Sequence, residues 1–546
     1  MLRSLYILTV ILALAGLLPV AAVADAVRPN VLVITVDDMN ADSVGAFGAA
    51  VTDATPNIDR LAASGIRFGR AHVQVANCKP SRNVMWSGRY PHSNRVEGFY
   101  PVRDANYPTL MSELRDAGYF IAVRNKLTHT TPSYPFAWDA VLDDVVTGGK
   151  PHAKDPASYG VSVREGIRLA KAAGKPFFLM LNIDDPHLPF YALDHQGNSF
   201  DDPYVPSRVY TPAEVPVPGF LFDDAVVRRE LAHYYSSVRR ADDAVGSVLE
   251  ALANSGQAAN TVVMFLSDHG MPLPFAKTQL YHHSTRTPLV MRWPGITTAG
   301  SVDEEHMVSA VDLMPTLLEG LGLDVPAGIQ GRSFLPLLSG LEQAERSEVF
   351  KAFNENAGGQ RAPMRAIETD RFLYIFNPWS SEPPSEFFRP WSFGRFDLWS
   401  AARGTGTFRR MEELGKYDRR LAWRVDLFKH RVPEELFDIT LDPDCLNNLV
   451  HDPAYAEQLQ VLRDRLGRWM DETGDHALTA FESRDNPAAL AAYVREQNTQ
   501  SAQRKRDALK ARNEAIARAM IAEQASQQSP QGGGQDVSTP EIGERK

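Results

Sequence analysis

The stretch "NVLVITVDD", residues 30–38, determines the fold class that the rest of the chain supports. Its first seven residues form a nearly continuous apolar run that ends at two adjacent carboxylates, Asp37 and Asp38. A continuous run of this kind is typical of a strand buried on both faces of a largely parallel sheet. Three later runs have the same character: "YFIAV" (119–123), "PFFLMLNI" (176–183) and "TVVMFL" (261–266).

Helical patterns separate these runs, for example "TLMSELRDAG" (109–118) and "DDAVGSVLEALANSG" (242–256). The alternation predicts an α/β fold with a large, doubly wound, mostly parallel sheet sandwiched by helices. From about residue 347, shorter segments such as "EVFKAF" and "EELFDIT" indicate antiparallel strands, and residues 454–474 repeat apolar side chains at helical spacing. We therefore expect a smaller C-terminal α+β domain with an antiparallel sheet.

Charged and imidazole side chains follow each of the four apolar runs. They are Asp37 and Asp38 after the first, Lys126 and His129 after the second, Asp185 and His187 after the third, and Asp268 and His269 after the fourth. In open α/β sheets, ligands bind in the crevice outside the carboxyl ends of the strands. Four separate strands thus deliver polar side chains to one edge, which predicts a functional site there.

Three of these residues are acidic: Asp37, Asp38 and Asp268 would repel one another unless a cation lay between them. Oxygen-rich ligation suits a hard divalent ion, Ca²⁺ before Mg²⁺, and His269 adds a nitrogen ligand or a close contact. Zinc-type Cys/His spacing is absent. The Asp37-Asp38 pair alone would indicate a charged turn, and the matching Asp268-His269 pair is what favours a metal site.

The chain of 546 residues is 44% hydrophobic and 23% charged, which is typical of a globular protein with a large and a smaller domain. Its net charge of −10 argues against nucleic acid as the main partner. The chain has only two cysteines, Cys78 and Cys445, so it could form one disulfide at most. A domain of this size does not need that cross-link for stability. We expect a chemical role for Cys78 and a plain buried thiol at Cys445.

The N-terminus has the layout of a secretory signal: Arg3, a long apolar run, and Ala22-Val23-Ala24 before Asp25. An uncleaved membrane anchor is the alternative. We expect a periplasmic or secreted chain that starts near Asp25 and is not stably inserted in a membrane. The predicted organisation is a signal peptide (1–24), a catalytic domain (25–346), a C-terminal subdomain (347–480) and a charged helical or disordered tail (481–546), a loose extension.

The stretch "CKPSR", residues 78–82, followed by "SGRYPH", resembles the signature of the sulfatase family. The resemblance extends from about Pro29 to His476 and includes "ATPNIDRLAASGIRF" (54–68), "DDPHLPF", "SDHG" and "LFDITLDPDCLNNL". It implies an alkaline phosphatase-like fold and an enzyme whose cysteine, here Cys78, is oxidised by a formylglycine-generating enzyme to an aldehyde that hydrates to a gem-diol. One hydroxyl of the diol attacks sulfur, and the second lets the covalent sulfate ester collapse.

Carried over position by position, the resemblance assigns roles to the residues at the strand ends. The metal ligands of the family match Asp37, Asp38, Asp268 and His269, and modified Cys78 completes the set of ligands. The arginine that holds formylglycine and the ion matches Arg82. The residues that bind the sulfate and protonate the leaving group match Lys126, His129, His187 and Lys277. His187 is the expected leaving-group acid and His129 the partner of the diol. Taken singly, these four would equally be surface lysines and core histidines.

Two departures from the family pattern stand out. Lys79 occupies a position that is small in most sulfatases, which bears on recognition by the modifying enzyme. The usual Gly-Lys-x-His element appears as Asn125-Lys126-Leu127-Thr128-His129, with one extra residue before the histidine.

Within the family, "SDHGMPLPFAKTQLY" and the segment 451–476 most resemble heparan N-sulfatase (sulfamidase) and its bacterial relatives. This implies a sulfated sugar as the substrate, with an O-sulfate or an N-sulfate as the scissile group. One alternative is a phosphonate monoester or phosphodiester hydrolase that uses the same diol on phosphorus. The other is a catalytically silent binder of sulfated glycans, against which the retention of Cys78 and the metal candidates argues.

Overall fold

The computed structural model describes residues 28–100, 102, 105–130, 138–144, 152–356, 361–381 and 404–528. The predicted signal peptide and the end of the predicted tail lie outside these ranges, so export of the chain stays a prediction. Within them, no helix is both long enough and apolar enough to cross a membrane.

Fourteen strands build the sheets of the described chain. They are β1 (Asn30–Asp37), β2 (Ile66–Phe68), β3 (Ala71–His72), β4 (Phe120–Arg124), β5 (Ala140–Val141), β6 (Phe177–Pro186), β7 (Thr261–Ser267), β8 (Leu289–Arg292), β9 (Ser301–Asp303), β10 (Val308–Ser309), β11 (Glu348–Glu355), β12 (Arg361–Thr369), β13 (Phe372–Phe376) and β14 (Glu434–Asp438). The large sheet has eight of them, in the order β5-β4-β6-β1-β7-β8-β2-β9.

The four predicted apolar runs form the centre of this sheet. Strand β1 pairs in parallel with β6 on one side and β7 on the other, and β4 pairs in parallel with β6. Strand β8 runs antiparallel to β7, so the sheet is mostly but not wholly parallel, as predicted. Strand β6 continues to Pro186, beyond the predicted end at 183, and a register irregularity lies opposite, between Val36 and Asp37.

The continuous apolar character of β1 has a direct structural cause. Leu32, Ile34 and Val36 belong to one hydrophobic cluster, whereas Val31 and Val33 belong to a second cluster on the other face. Because helices cover both faces of the sheet, neither face of the strand meets water.

The helices are α1 (Pro56–Ala63), α2 (Cys78–Ser87), α3 (Pro91–Asn94), α4 (Leu110–Asp116), α5 (Leu127–Thr130), α6 (Pro156–Ala172), α7 (Ala225–Asn254), α8 (His282–Thr285), α9 (Leu313–Gly320), α10 (Leu335–Leu338), α11 (Thr407–Gly415), α12 (Arg419–His430), α13 (Ala456–Thr473), α14 (Leu478–Glu482) and α15 (Pro487–Gln528). The long helix α7 is capped by Asp224, whose side chain accepts a hydrogen bond from the Val226 amide. Helices α6 and α7 pack on each other and on β6.

The C-terminal part contains the predicted antiparallel sheet, with the strand order β11-β12-β13-β14. The helix expected in the tail is present as α15, but its first turns are packed rather than loose. Leu490, Tyr493 and Val494 are buried, and Gln497 accepts a hydrogen bond from the Arg361 guanidinium at 2.7 Å. The reason is an apolar stripe at helical spacing at the start of an otherwise charged segment. The two cysteines are buried and free, in agreement with the sequence analysis.

Candidate active site

Cys78 is the first residue of α2 and is only 3% exposed. Its Sγ donates to Asp37 Oδ1 at 3.3 Å and lies 3.2 Å from His269 Nε2. Burial, and then the negative charge of Asp37, raises the pKa of the thiol well above its usual value. The unmodified cysteine is therefore a neutral thiol near pH 7, a poor nucleophile held in an acidic cavity.

The three predicted carboxylate ligands converge on this thiol from two adjacent strand ends. Asp37, Asp38 and Asp268 are all 0% exposed, and the Asp38 amide donates to Asp268 Oδ1 at 3.2 Å. Asp38 has a φ of 71°, a left-handed conformation that turns the chain sharply where β1 ends. His269 completes the group, since its Nδ1 lies 3.3 Å from Asp38 Oδ1.

These residues fit a hard divalent cation by the chemistry of their donor atoms. One ligand atom each from Asp37, Cys78, Asp268 and His269 lies within 4.8 Å of the others, and Asp37 and Asp38 form an overlapping group with His187. Three buried carboxylates next to one imidazole supply the oxygen-rich ligation that Ca²⁺ and Mg²⁺ prefer. The predicted metal ligands are thus together, although their role stays a prediction.

Burial pushes the two adjacent carboxylates towards the neutral form, and the neighbouring cations decide how far. For Asp37, the combined positive charge of Lys126 and Arg82, with further neighbours, outweighs burial and holds the pKa well below its usual range. For Asp38, burial outweighs the effect of Lys277 and raises the pKa to about 6. Asp37 is therefore ionised near pH 7, whereas Asp38 titrates close to that pH in this arrangement.

Arg82 lies one turn after Cys78 on α2 and reaches across the same cavity. Its Nε donates to Asp268 Oδ2 at 3.0 Å, and its Nη2 lies 3.5 Å from Asp37 Oδ2. Its Nη1 donates to Thr35 Oγ1 at 2.6 Å and to Asn182 Oδ1 at 2.7 Å. The predicted arginine therefore holds two of the metal candidates in place.

The sequence analysis missed the residues that orient this arginine. Thr35 and Asn182 lie on β1 and β6, inside two runs that were interpreted as wholly structural, and Thr35 also donates to Asn182 at 2.8 Å. The available signal was a polar residue inside each apolar run, because a buried polar side chain needs a partner.

Lys126 approaches the cluster from the end of β4. Its Nζ lies 2.6 Å from Asp37 Oδ2 and 2.9 Å from Asp184 Oδ1. These carboxylates outweigh burial and raise the pKa of Lys126 well above its usual value, so the side chain stays charged. The sequence analysis also missed Asp184 and Lys154, which lie 3.1 Å apart (Oδ2 to Nζ) and extend this ion-pair network.

Lys277 lies on the opposite side of the cavity and points to the second carboxylate of the pair. Its Nζ donates to Asp38 Oδ1 at 2.7 Å and to Asp38 Oδ2 at 2.9 Å. Asp38 and its neighbours outweigh burial and raise the pKa of Lys277, so this side chain also keeps its charge. Lys126 and Lys277 thus place two permanent cations in the cavity of Cys78.

The two predicted histidines differ in how closely they approach the cluster. The Nε2 of His187 lies 4.0 Å from Asp38 Oδ2, whereas the His129 ring packs edge-on against Phe99, with centroids 5.3 Å apart. The Nδ1 of His129 has no hydrogen-bond partner among the described residues. Burial first, and nearby lysine charge second, lower the pKa of each to about 3, so both rings are neutral near pH 7.

Comparison with known proteins identifies the family. The sulfatase family model matches residues 29–323, more than half of the chain. The chain belongs to the sulfatase family. It is therefore a sulfuric ester hydrolase, and a second model, for the C-terminal region of N-sulphoglucosamine sulphohydrolase, matches residues 268–381.

Two curated relatives are similar to this sulfatase in sequence, and two solved structures are similar to it in fold. It is 28% identical to the human N-sulphoglucosamine sulphohydrolase (82% of this chain, 91% of the relative) and 27% identical to an ulvan-active sulfatase of Formosa agariphila (82% and 76%). The structure of a 2-O GAG sulfatase superposes with a TM-score of 0.59 at 22% identity (82% and 93%). A phosphonate monoester hydrolase of Agrobacterium radiobacter does so with 0.58 at 22% (82% and 96%). These superpositions confirm the alkaline phosphatase-like fold.

Proposed function

We propose that this sulfatase hydrolyses a sulfate ester or an N-sulfate of a sulfated sugar, with Cys78 converted to formylglycine and a divalent cation, Ca²⁺ before Mg²⁺, as cofactors. The observation that carries the proposal is the position of Cys78 between three carboxylates and two charged lysines. A silent binder has no need of a buried cysteine at the centre of such a cluster. We also propose that the enzyme acts in the periplasm or outside the cell.

Each part of the cavity contributes a separate physical effect. A cation held by Asp37, Asp38, Asp268 and His269 would polarise the nucleophile and offset negative charge on the sulfate. Arg82 fixes the orientation of Asp268 and Asp37 through its guanidinium. Lys126 and Lys277 place positive charge where the sulfate oxygens gain charge during sulfur–oxygen or sulfur–nitrogen cleavage.

The proposed leaving-group acid is His187, which must carry a proton to serve that role. Its imidazole is neutral near pH 7 in this structure, mainly because it is buried. An anionic sulfate beside the ring raises the affinity of the imidazole for a proton, since an opposite charge favours the charged form. We expect protonation to accompany substrate binding. His129, further from the cluster, is the proposed partner of the nucleophile.

Similarity to relatives of known activity supports a proposal for the sugar. The matching C-terminal family model and the human relative carry the name of an N-sulphoglucosamine sulphohydrolase, and another relative is named for ulvan. Both names denote sulfated carbohydrates. We therefore propose a sulfated glycan or one of its fragments as the substrate class, with N-sulfated glucosamine as the first candidate.

The decisive experiment combines mass spectrometry of the peptide around Cys78 with an activity screen on the full chain, produced with a formylglycine-generating enzyme. We expect the thiol mass to be replaced by that of the aldehyde and inorganic sulfate to be released from at least one N- or O-sulfated sugar. Cys78→Ala should abolish turnover, whereas the matched control Cys445→Ala should keep it. Full activity of Cys78→Ala would refute the assignment of Cys78 as the nucleophile. Hydrolysis of a phosphonate monoester included in the same screen, with no sulfate released from any sugar, would favour the phosphonate monoester hydrolase.

A further inference from the structure

Lys79, which directly follows the nucleophile candidate, differs from the other buried lysines of the described chain. It is 7% exposed, yet no carboxylate of the described residues forms an ion pair with it. The other three buried lysines are paired: Lys154 with Asp185 at 2.9 Å, Lys277 with Asp38 at 2.7 Å, and Lys351 with Glu368 at 2.5 Å. Buried ammonium groups are as a rule paired, because burial of an isolated charge is costly.

The helix geometry places Lys79 beside the metal candidates rather than among them. Cys78 and Arg82 face the carboxylates, as shown by their hydrogen bonds to Asp37 and Asp268, and Ser81 Oγ donates to the Asp268 backbone carbonyl on the same side. Lys79 shares another face of α2 with Asn83, one turn later. That face packs against α5, the helix that follows Lys126.

One amide connects Lys79 to the neighbouring helix. The Nδ2 of Asn83 donates to the Lys79 carbonyl at 2.7 Å and to the His129 carbonyl at 2.8 Å. The first turn of α2 and the His129 segment are thereby held together. The positive charge of Lys79 also contributes to the lowered pKa of His129, so the Lys79 ammonium group lies on the Lys126 and His129 side of the cavity.

The scissile sulfate itself has its cations, since Lys126 pairs with Asp37 and Lys277 with Asp38, the adjacent carboxylates of the Cys78 cavity. A further cation with no partner among the described residues is suited to a second negative charge on the same ligand. We propose that Lys79 binds a second anionic group of the substrate, a sulfate or a carboxylate, and thereby selects sugars that carry at least two anionic groups. This inference rests on the proposed function, because it assumes that a sulfated sugar occupies the cavity of Cys78.

The test compares wild type, Lys79→Met and Lys79→Arg on three substrates. They are glucosamine N-sulfate, with one anionic group; glucosamine 2-N,6-O-disulfate, with a second sulfate; and a uronate–glucosamine N-sulfate disaccharide, with a carboxylate. The measured quantity is the ratio of kcat/KM on each dianionic substrate to kcat/KM on the monoanionic one. This ratio is independent of the fraction of Cys78 that has been converted, which Lys79 variants could change.

We expect Lys79→Met to lower at least one of these ratios by about tenfold or more, as loss of a hydrogen bond to a charged group does. Lys79→Arg should recover most of the ratio. The substrate that responds distinguishes sulfate from carboxylate. Lys175→Met, an exposed lysine just before β6 at the opposite edge of the sheet, controls for the loss of one positive charge and should leave every ratio unchanged.

Equal ratios for wild type and Lys79→Met on both dianionic substrates would overturn the inference while the sulfatase activity itself stands. Failure of wild type to release sulfate from any of the sugars, or from 4-nitrophenyl sulfate, would instead refute the proposed function. The two failures are therefore distinguishable.

Discussion

A buried ion-pair cluster joins the N-terminal part of the chain to the C-terminal sheet, and its central carboxylate allows a specific test of stability. Glu368 on β12 is 0% exposed, and its Oε2 lies 2.5 Å from Lys351 Nζ. Its Oε1 lies 3.2 Å from His72 Nε2 and 2.8 Å from His282 Nδ1. His72 and His282 belong to the predicted catalytic domain, whereas Glu368 belongs to the C-terminal sheet. This carboxylate therefore connects the two.

Replacing Glu368 by Gln keeps the shape of the side chain but leaves the Lys351 ammonium buried without a counter-ion. Among the described residues, Lys351 Nζ has one other hydrogen bond, to the Leu280 carbonyl at 3.5 Å, which is too long to compensate. Breaking a buried ion pair by removal of one partner costs about 3–5 kcal/mol. We expect Glu368→Gln to lower the free energy of unfolding by that amount. Lys351→Met should lower it by less, because Glu368 keeps its contacts with His72 and His282.

The double variant Glu368→Gln/Lys351→Met should be more stable than the sum of the single losses indicates. Replacement of both partners of a buried pair is often nearly neutral, and contacting residues give coupling energies of about 0.5–3 kcal/mol. Urea unfolding followed by tryptophan fluorescence measures all three losses. The exposed pair Glu165–Arg168 is the control, and Glu165→Gln should leave the urea midpoint unchanged. The reasoning would be refuted if the loss of unfolding free energy in the double variant equalled the sum of the single losses. It would also be refuted if each single loss were below about 1 kcal/mol, because an unpaired buried lysine should cost more.

Two predictions concern the proposed metal and sulfate contacts. Asp268→Asn should weaken Ca²⁺ binding, which calorimetry on the full chain measures. Chelation with EDTA should abolish wild-type turnover, and added Ca²⁺ should restore it. Turnover that survives chelation in both proteins would contradict the metal assignment. Lys277→Met should lower kcat/KM by about tenfold to a hundredfold, because a charge-assisted contact to the sulfate is lost. The control Lys175→Met should leave kcat/KM unchanged. An unchanged kcat/KM for Lys277→Met would show that Lys277 does not contact the sulfate.

The sheet and the convergence of the candidate residues could be predicted because both depend on local pattern. Continuous apolar runs such as residues 30–36 identify strands buried on both faces, and the carboxyl ends of parallel strands meet at one edge. Once Asp37 and Asp268 each follow such a run, their proximity is a consequence of topology. The structure brings them to the same thiol.

The contacts that orient these residues could not be predicted, because they join segments far apart in the chain. Asn182 lies 100 residues after Arg82, and the direction of its side chain depends on the register between β1 and β6. That register is irregular between Val36 and Asp37, and no local pattern encodes the irregularity. The contacts of Glu368 with His72 and His282 likewise depend on how the C-terminal sheet docks.

Lys79 shows where information from the sequence must be combined with information from the structure. In the sequence Lys79 is a departure from the family signature, and there it bears on recognition by the enzyme that modifies Cys78. The structure adds that its side chain is buried on the face of α2 towards His129, without a carboxylate partner among the described residues. Buried charge must be compensated, so this single substitution within the signature connects the nucleophile to the charge pattern of the substrate.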